Sequence, residues 1–197
     1  MLEQPPKFVL LMLAAGLSRR MGGPNKLLQP YRGKPLLAHA LENSREIDFS
    51  DRIVVTGRDS AKIEALAARF DFRCVYNPRF AEGLGASIAA GARALRPDAG
   101  AVFIALGDMP EIGPDIYRAL AAQFRHGSIV SPVFRGAAGH PVLFCASYAP
   151  EISALSGDEG ARSVLRRHEA CLVRVETRHS GIIRDVDTSE DFDVSPS

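Results

Sequence analysis

Glycines and cations follow directly on an apolar run near the beginning of the chain. The run at 8–12 reads Phe-Val-Leu-Leu-Met, and 13–26 continues as Leu-Ala-Ala-Gly-Leu-Ser-Arg-Arg-Met-Gly-Gly-Pro-Asn-Lys. Gly16 and Gly22 let backbone amides approach oxygen atoms, because no Cβ stands in the way. The segment also carries donors suited to phosphate, namely Arg19, Arg20 and Lys26. It therefore predicts a polyphosphate-binding loop at the carboxyl end of a buried strand, where open α/β sheets bind their ligands.

Two common phosphate loops do not fit this spacing. A dinucleotide fingerprint needs G-x-G-x-x-G, whereas Ala14 and Ser18 stand two positions either side of Gly16. A Walker A loop needs G-x-x-x-x-G-K-[ST], whereas Met21 occupies the second glycine position and no Ser or Thr follows Lys26. A basic surface loop whose glycines serve only the turn is the alternative interpretation.

A carboxylate follows a second apolar run. The run at 101–106 ends in Gly107-Asp108-Met109-Pro110. If both strands are parallel, Asp108 reaches the same edge of the sheet as the first loop. Mg²⁺ binds through one or two carboxylates together with substrate phosphates, so Asp108 is a candidate metal ligand. A turn or helix-capping aspartate is the alternative.

A second candidate ligand lies near the carboxyl terminus. Asp187 stands where a candidate strand gives way to a short helix, and we predict that it joins Asp108 at the metal. Asp185 lies two residues earlier and would share the same face of an extended strand, so it is the other candidate. Alternatively, 188–191 is only the capped acidic beginning of a helix.

Composition limits the class of protein. Of the 197 residues, 46% are hydrophobic and 24% are charged, as in ordinary globular proteins. The net charge of +1 does not support a broad nucleic-acid-binding surface. The three cysteines are too widely spaced for a disulfide framework or a C-x-x-C metal site. The apolar stretch at 8–15 is too short to span a bilayer and lacks a signal-peptide layout. We expect one cytoplasmic domain over 1–197, with its core at 8–192 and no membrane or nucleic-acid partner.

Short apolar runs alternate with helical periodicity. The candidate strands are 8–13, 52–56, 73–76, 101–106, 128–133, 141–145, 171–175 and 183–186. The candidate helices are 35–45, 60–70, 85–95, 114–124 and 160–168. This alternation predicts a three-layer α/β/α sandwich, in which helices cover a Rossmann-like, mostly parallel sheet. Two strands flanking a short loop at 134–140 predict a local antiparallel insertion.

Taken together, these residues resemble the nucleotidyltransferases of the molybdenum cofactor family. The pattern L-A-A-G-x-S-x-R-M-G, then a lysine, is matched by 13–22 and Lys26. Further matching pieces are Tyr76-Asn77-Pro78, Glu82-Gly83-Leu84 with Ser87, Gly107-Asp108-Met109-Pro110, Gly139-His140-Pro141-Val142, Gly157-Asp158-Glu159-Gly160-Ala161-Arg162, and Asp187-Thr188 with Asp191-Phe192. The likeness is nearest to the molybdopterin cytidylyltransferase branch and covers residues 8–192. It implies the nucleotide-diphospho-sugar transferase type of fold.

The resemblance also implies a reaction. CMP would pass from CTP to the terminal phosphate of molybdenum-loaded molybdopterin, with release of pyrophosphate. The implied catalytic residues are Arg20, Lys26 and Asp108. The implied cofactor is Mg²⁺, or Mn²⁺ in its place, held by Asp108 and Asp187.

Further residues are implied to bind the two substrates. The nucleotide-binding residues are Leu13, Ala14, Ala15, Gly16, Ser18, Arg20, Lys26, Gly83, Ser87 and Gly107. Of the residues expected to bind the pterin substrate, His140 would orient the pterin and Arg162 would meet the acceptor's phosphate; alternatively, His140 is structural and Arg162 is a solvated helix residue. Transient contact with an apo-molybdenum hydroxylase is the expected protein partnership.

The nucleobase is predicted from one position. Ala15 stands where the guanylyl-transferring branch usually has glycine, and an alanine there would narrow the space beside the base. The sequence therefore favours CTP. The alternatives are a guanylyltransferase of the same pathway, a cytidylyltransferase for another phosphorylated small molecule, and a non-catalytic carrier that delivers the cofactor to a hydroxylase.

Overall fold

A computed structural model describes residues 6–17 and 24–192. Its strands are β1 (Phe8–Ala14), β2 (Pro30–Tyr31), β3 (Lys34–Pro35), β4 (Asp51–Thr56), β5 (Arg73–Tyr76), β6 (Ala101–Leu106), β7 (Ile129–Phe134), β8 (Ala137–Ala138), β9 (Val142–Cys145) and β10 (Leu172–Glu176). Its α-helices are α1 (Leu36–Asn43), α2 (Ser60–Ala67), α3 (Leu84–Arg93), α4 (Pro114–Gln123), α5 (Ala149–Ser153), α6 (Arg162–Arg167) and α7 (Ser189–Phe192). None of the helices in these two ranges is both long and apolar enough to cross a lipid bilayer.

The main sheet is built outward from β1. This strand pairs in parallel with β4 on one side and with β6 on the other, and β5 extends the sheet in parallel beyond β4. Beyond β6, β9 runs antiparallel between β6 and β7, and β10 pairs in parallel with β7. The strand order is β10-β7-β9-β6-β1-β4-β5, with β8 paired to β7. The prediction of a mostly parallel sheet with an antiparallel insertion is confirmed.

Side chains of alternating direction along β1 enter two different cores, as a strand covered on both faces requires. Leu10 and Met12 pack with residues of α1, α2 and α4. Leu11 packs with residues of α3, α5 and α6 on the other face. Gly91 brings α3 close to the sheet, because a Cβ there would lie 2.3 Å from Leu11 Cδ1. The three-layer α/β/α architecture is confirmed.

The predicted strand at 183–186 is wrong. A 3-10 turn at Ser180–Ile183 leads into a segment that runs outside the sheet. Ile182 and Val186 are buried in the same core as Leu10 and Met12, which gives the sequence its strand-like pattern although the segment pairs with no strand of the sheet. The backbone bonds of this segment go to loops instead: the His140 N–H donates to Ile182 O at 2.8 Å, and the Val186 N–H donates to Asp108 O at 3.0 Å.

Smaller differences lie at the ends of elements. The helix predicted at 60–70 ends at Ala67 and continues as a 3-10 turn, Ala68–Phe70. The helix predicted at 160–168 begins only at Arg162. The hairpin of β2 and β3 and the short helix α5 were not predicted, because two-residue strands and a five-residue helix carry too little periodicity.

Candidate active site

A cavity of about 370 Å³ opens at the carboxyl ends of β1 and β6. We call it the edge cavity. One wall is the backbone that follows β1, another is the beginning of α3 with the turn before it, and polar side chains lie between them. The residues that line it and were predicted to act in the site are Leu13, Ala15, Gly16, Lys26, Gly83, Ser87, Asp108 and Asp187. Its position at the carboxyl edge of the parallel strands is where such sheets bind ligands.

Two of the other residues predicted to bind the nucleotide lie beside the cavity lining, and two more fall outside the described ranges. Ala14 is buried in the core at the end of β1. Gly107 lies in the turn after β6, where its N–H donates to Leu13 O at 3.0 Å. Ser18 and Arg20 lie outside the described residues.

Lys26 connects the two predicted metal ligands. Its Nζ lies 2.7 Å from Asp108 Oδ2, donates to Asp187 Oδ1, and donates to the Val186 carbonyl at 3.0 Å. Burial alone would lower the pKa of Lys26, but the carboxylates of Asp108 and Asp187 outweigh it and hold this pKa above its ordinary value. Lys26 is therefore a fixed positive charge between two carboxylates.

Local hydrogen bonds place Lys26 in this position. The Asn25 side chain caps the 3-10 turn Lys26–Leu28, because its Oδ1 accepts from the Leu27 N–H at 3.1 Å. Asn25 is 2% exposed and Leu27 is 4% exposed, so the turn is anchored from inside the protein. The cap and the buried leucine leave the lysine side chain to reach into the edge cavity.

A separate carboxylate organises the segment that carries Asp187. The Asp191 side chain accepts from the backbone N–H groups of Asp187 and Thr188, at 2.9 and 2.8 Å, and from the Thr188 hydroxyl. The predicted capped helix beginning is therefore present, with Asp191 as its acceptor. Asp191 caps the helix, whereas Asp187 contacts Lys26. A capped helix beginning at 188–191 is therefore compatible with Asp187 as a candidate metal ligand.

Three carboxylates meet at this point. One oxygen from each of Asp108, Asp185 and Asp187 lies within 4.8 Å of the others. Asp108 Oδ1 is buried and has no hydrogen-bond partner within the described residues. The pKa of Asp185 is raised by its partial removal from water and by repulsion from Asp187. Clustered hard oxygen donors with a buried, unsatisfied acceptor fit a divalent cation such as Mg²⁺ or Mn²⁺.

The opposite wall is tightly packed at Gly83. This residue has φ +125°, and a Cβ there would lie 2.5 Å from Gly157 O and 2.2 Å from Asp158 Oδ1. The Gly85 N–H donates to Gly157 O at 2.8 Å, which joins the beginning of α3 to the 157–158 turn. Ser87 is buried and accepts from Asn77 Nδ2 at 3.1 Å.

Gly83→Ala is expected to reduce the free energy of unfolding by about 1–3 kcal/mol, because it adds backbone strain and a close contact. Guanidinium unfolding monitored by circular dichroism measures this loss. Gly136→Ala is the matched control, since Gly136 has φ +83° but an added Cβ would meet no atom within 4 Å. Equal losses in the two variants would show that contact with the 157–158 turn contributes nothing.

The two residues expected to contact the pterin lie outside the lining of the edge cavity. His140 Nδ1 is buried without a hydrogen-bond partner in the described chain. Burial lowers the pKa of His140 and outweighs the backbone hydrogen bond at Ile104 and the charge of Asp108, which both raise it, so the ring is neutral at physiological pH. Arg162 is exposed at the beginning of α6.

The residues at the site that were not singled out from the sequence include an aromatic, an acidic and a basic side chain. Phe80 and Asp158 line the edge cavity. Arg58 lies beside it and donates from Nη1 to Leu17 O at 3.0 Å. Asp158 stands in the 157–162 stretch that carries the family resemblance, whereas nothing in the pattern around Arg58 indicated a role.

Comparison with known proteins places this site in a family. The sequence profile of the MobA-like NTP transferase domain matches residues 10–171. The chain belongs to this family. It is thus a nucleotidyltransferase of the MobA-like type, and the three-carboxylate cluster lies where its parallel strands end.

Relatives of this MobA-like protein carry different names. It is 31% identical to the purine catabolism protein PucB of Bacillus subtilis (strain 168), over 96% of each chain. It is 30% identical to the nicotine blue oxidoreductase of Paenarthrobacter nicotinovorans, over 91% of this chain and 92% of the relative. It is also 30% identical to the molybdenum cofactor cytidylyltransferase of Escherichia coli (strain K12), over 92% of each.

Solved structures share the MobA-like fold. The crystal structure of Rv0371c from Mycobacterium tuberculosis H37Rv superposes with a TM-score of 0.84 at 25% identity, and the match covers 96% of this chain and 97% of that one. The agreement extends over nearly the whole chain, so the arrangement of strands and helices around the edge cavity is that of a known fold.

Proposed function

We propose that this MobA-like nucleotidyltransferase transfers CMP from CTP to the terminal phosphate of molybdopterin and releases pyrophosphate. One observation carries the proposal: Lys26, Asp108 and Asp187 form a charged cluster inside the edge cavity, with Asp108 Oδ1 left unsatisfied. The chain's 30% identity with a molybdenum cofactor cytidylyltransferase supports the choice of substrates. A single domain with its core at 8–192 would carry the activity.

The reaction needs positioning and charge neutralisation more than proton transfer. An oxygen of the terminal phosphate forms a bond to the α-phosphorus of CTP, while the bond from that phosphorus to the bridging oxygen breaks. Pyrophosphate leaves with the electron pair. Because the nucleophile is already an anion, no general base is required.

Residues of this chain supply the electrostatic part. Asp108 and Asp187 would hold the divalent cation, with Asp185 as a third carboxylate beside them. A cation bound there neutralises charge on the phosphate oxygens. Lys26 stabilises negative charge on the α-phosphoryl group and on the departing pyrophosphate, and we assign the same role to Arg20. The backbone N–H groups at 16–18 would donate hydrogen bonds to the oxygens of the β- and γ-phosphates.

The base is assigned to one wall of the edge cavity, and the pterin is assigned to residues outside its lining. Ala15 is 3% exposed and lines the edge cavity, so its methyl group occupies space that glycine would leave free. This supports a pyrimidine, with the 83–87 segment beside it. His140 and Arg162 are proposed to bind the pterin beyond the cavity, and contact with an apo-molybdenum hydroxylase stays a prediction.

One assay tests the choice of substrates. The protein is incubated with Mg²⁺ and each of CTP, GTP, UTP and ATP, with and without molybdenum-loaded molybdopterin, and pyrophosphate is measured. We expect release that requires both CTP and the pterin. Preference for GTP would indicate a guanylyltransferase. Release of pyrophosphate with another phosphorylated acceptor, and not with molybdopterin, would show that molybdopterin is not the substrate. Binding of the pterin without any pyrophosphate release would favour the carrier role.

A further inference from the structure

Arg58 touches both backbone segments that bound the edge cavity on its phosphate side. Its side chain donates from Nη1 to Leu17 O at 3.0 Å. Its own carbonyl accepts from Asn25 Nδ2 at 3.2 Å. Leu17 lines the edge cavity, and Asn25 caps the turn that presents Lys26. One residue thus joins the backbone after β1 to the turn that carries the lysine.

The corner that presents Arg58 is closely packed. It follows β4, which is paired with β1 up to Ala14 and Thr56. A Cβ on Gly57 would lie 2.6 Å from Phe80 Cβ and 3.0 Å from Ala15 O, so the corner packs directly against two residues that line the cavity. Asp59 has φ +55°, and its carboxylate lies 3.6 Å from Arg58 Nε. These contacts fix where the Arg58 side chain begins.

We infer that Arg58 is a positioning residue that sets the separation of the Leu17 backbone and the Lys26 turn, and that the affinity for a nucleoside triphosphate depends on it. The inference rests on the proposed function, because it assigns these two segments to the triphosphate. The 3.0 Å bond is made by an ionised donor to a carbonyl, which is among the stronger hydrogen bonds in proteins. Removing it frees the Leu17 backbone to move relative to Lys26, and a binding site with loosened walls loses preorganisation.

Binding calorimetry without any acceptor tests this inference. Mg²⁺ with CTP, and Mg²⁺ with inorganic pyrophosphate, are titrated into the wild-type protein, Arg58→Met and Arg58→Lys. We expect Arg58→Met to weaken CTP binding by about 10- to 100-fold, as loss of a charged hydrogen bond implies. Arg58→Lys keeps the charge and one donor, so its loss should be intermediate. If Arg58→Met does not fold, the intermediate loss in Arg58→Lys carries the test.

Arg93→Met is the matched control. Arg93 also donates to a carbonyl, that of Ser153 at 2.5 Å, but it lies in the last turn of α3 and does not line the edge cavity. We expect wild-type affinity for CTP in this variant. If Arg93→Met lost as much affinity for CTP as Arg58→Met, the loss would reflect a general destabilisation of the protein, and the inference would be overturned.

Kinetics separate positioning from direct action on the reacting phosphate. In Arg58→Met the KM for CTP should rise, while kcat and the KM for the acceptor stay near their wild-type values. The reason is that the contact contributes equally to binding of CTP in the ground state and in the transition state. A fall in kcat at unchanged KM would overturn the positioning role. If the wild-type protein bound CTP and Arg58→Met bound it equally well, only this inference would fail. If the wild-type protein bound no CTP, the proposed function would fail with it.

Discussion

Asp108→Asn should lower kcat by about 100- to 1000-fold, the usual effect of removing one preorganised electrostatic group from an active site. The substitution keeps the shape of the side chain but removes its charge. Asp108 contacts Lys26 through Oδ2 and leaves Oδ1 buried and unsatisfied within the described chain. An amide at this position weakens both the pairing with the lysine and the affinity for a divalent cation.

Pyrophosphate release at saturating Mg²⁺, CTP and acceptor measures this loss. Circular dichroism should show an unchanged fold, because the backbone contact between Val186 N–H and Asp108 O does not depend on the carboxylate. Asp115→Asn is the control, since Asp115 is an aspartate outside the edge cavity that pairs with His179 at 2.8 Å. If Asp108→Asn retained most of its activity, Asp108 would not be a ligand of the divalent cation.

Lys26→Met should have the second large effect, a loss of kcat of about 100-fold or more. Lys26 balances two carboxylates in the ground state and is assigned to the departing pyrophosphate in the transition state, so its contribution grows during the reaction. Removing its charge leaves the three acidic side chains unbalanced. Binding of a divalent cation should therefore be retained or strengthened while turnover is lost.

Two measurements on the same variant check this prediction. Turnover is followed by pyrophosphate release, and Mn²⁺ binding is followed by electron paramagnetic resonance. Lys34→Met is the control, because Lys34 forms an ion pair with Glu42 on the surface, away from the edge cavity. If Lys26→Met kept its kcat, Lys26 would serve only to hold the carboxylates in place. If Mn²⁺ binding disappeared, the lysine would be required to assemble the acidic cluster.

The main strands, the loop after β1 and the position of Asp108 could be predicted from the sequence, because each depends on a local pattern of residues. The apolar run of β1 followed by glycines gives a strand and the loop after it without knowledge of any other element. Asp108 follows β6 in the same way. The parallel pairing of β1 and β6 then brings the two strand ends to one edge.

The rest of the site depends on tertiary contacts that leave no periodic pattern. Asp187 reaches the site on a segment outside the sheet, so the strand predicted before it is wrong although the residue meets Asp108 and Lys26. Arg58 gains its contacts only because β4 lies beside β1. Neither arrangement can be read from the residues around 58 or 187 alone.

The pairing of Lys26 with Asp187 joins residues 161 positions apart. During synthesis the lysine leaves the ribosome early, and its carboxylate partner follows only after the sheet and most of the helices have been made. The ends of β1 and β6, which bring Asp108 to this edge of the sheet, are thus synthesised long before Asp187. The charged cluster can therefore be completed only after the residues of all the described strands have been synthesised, because β10 already ends at Glu176.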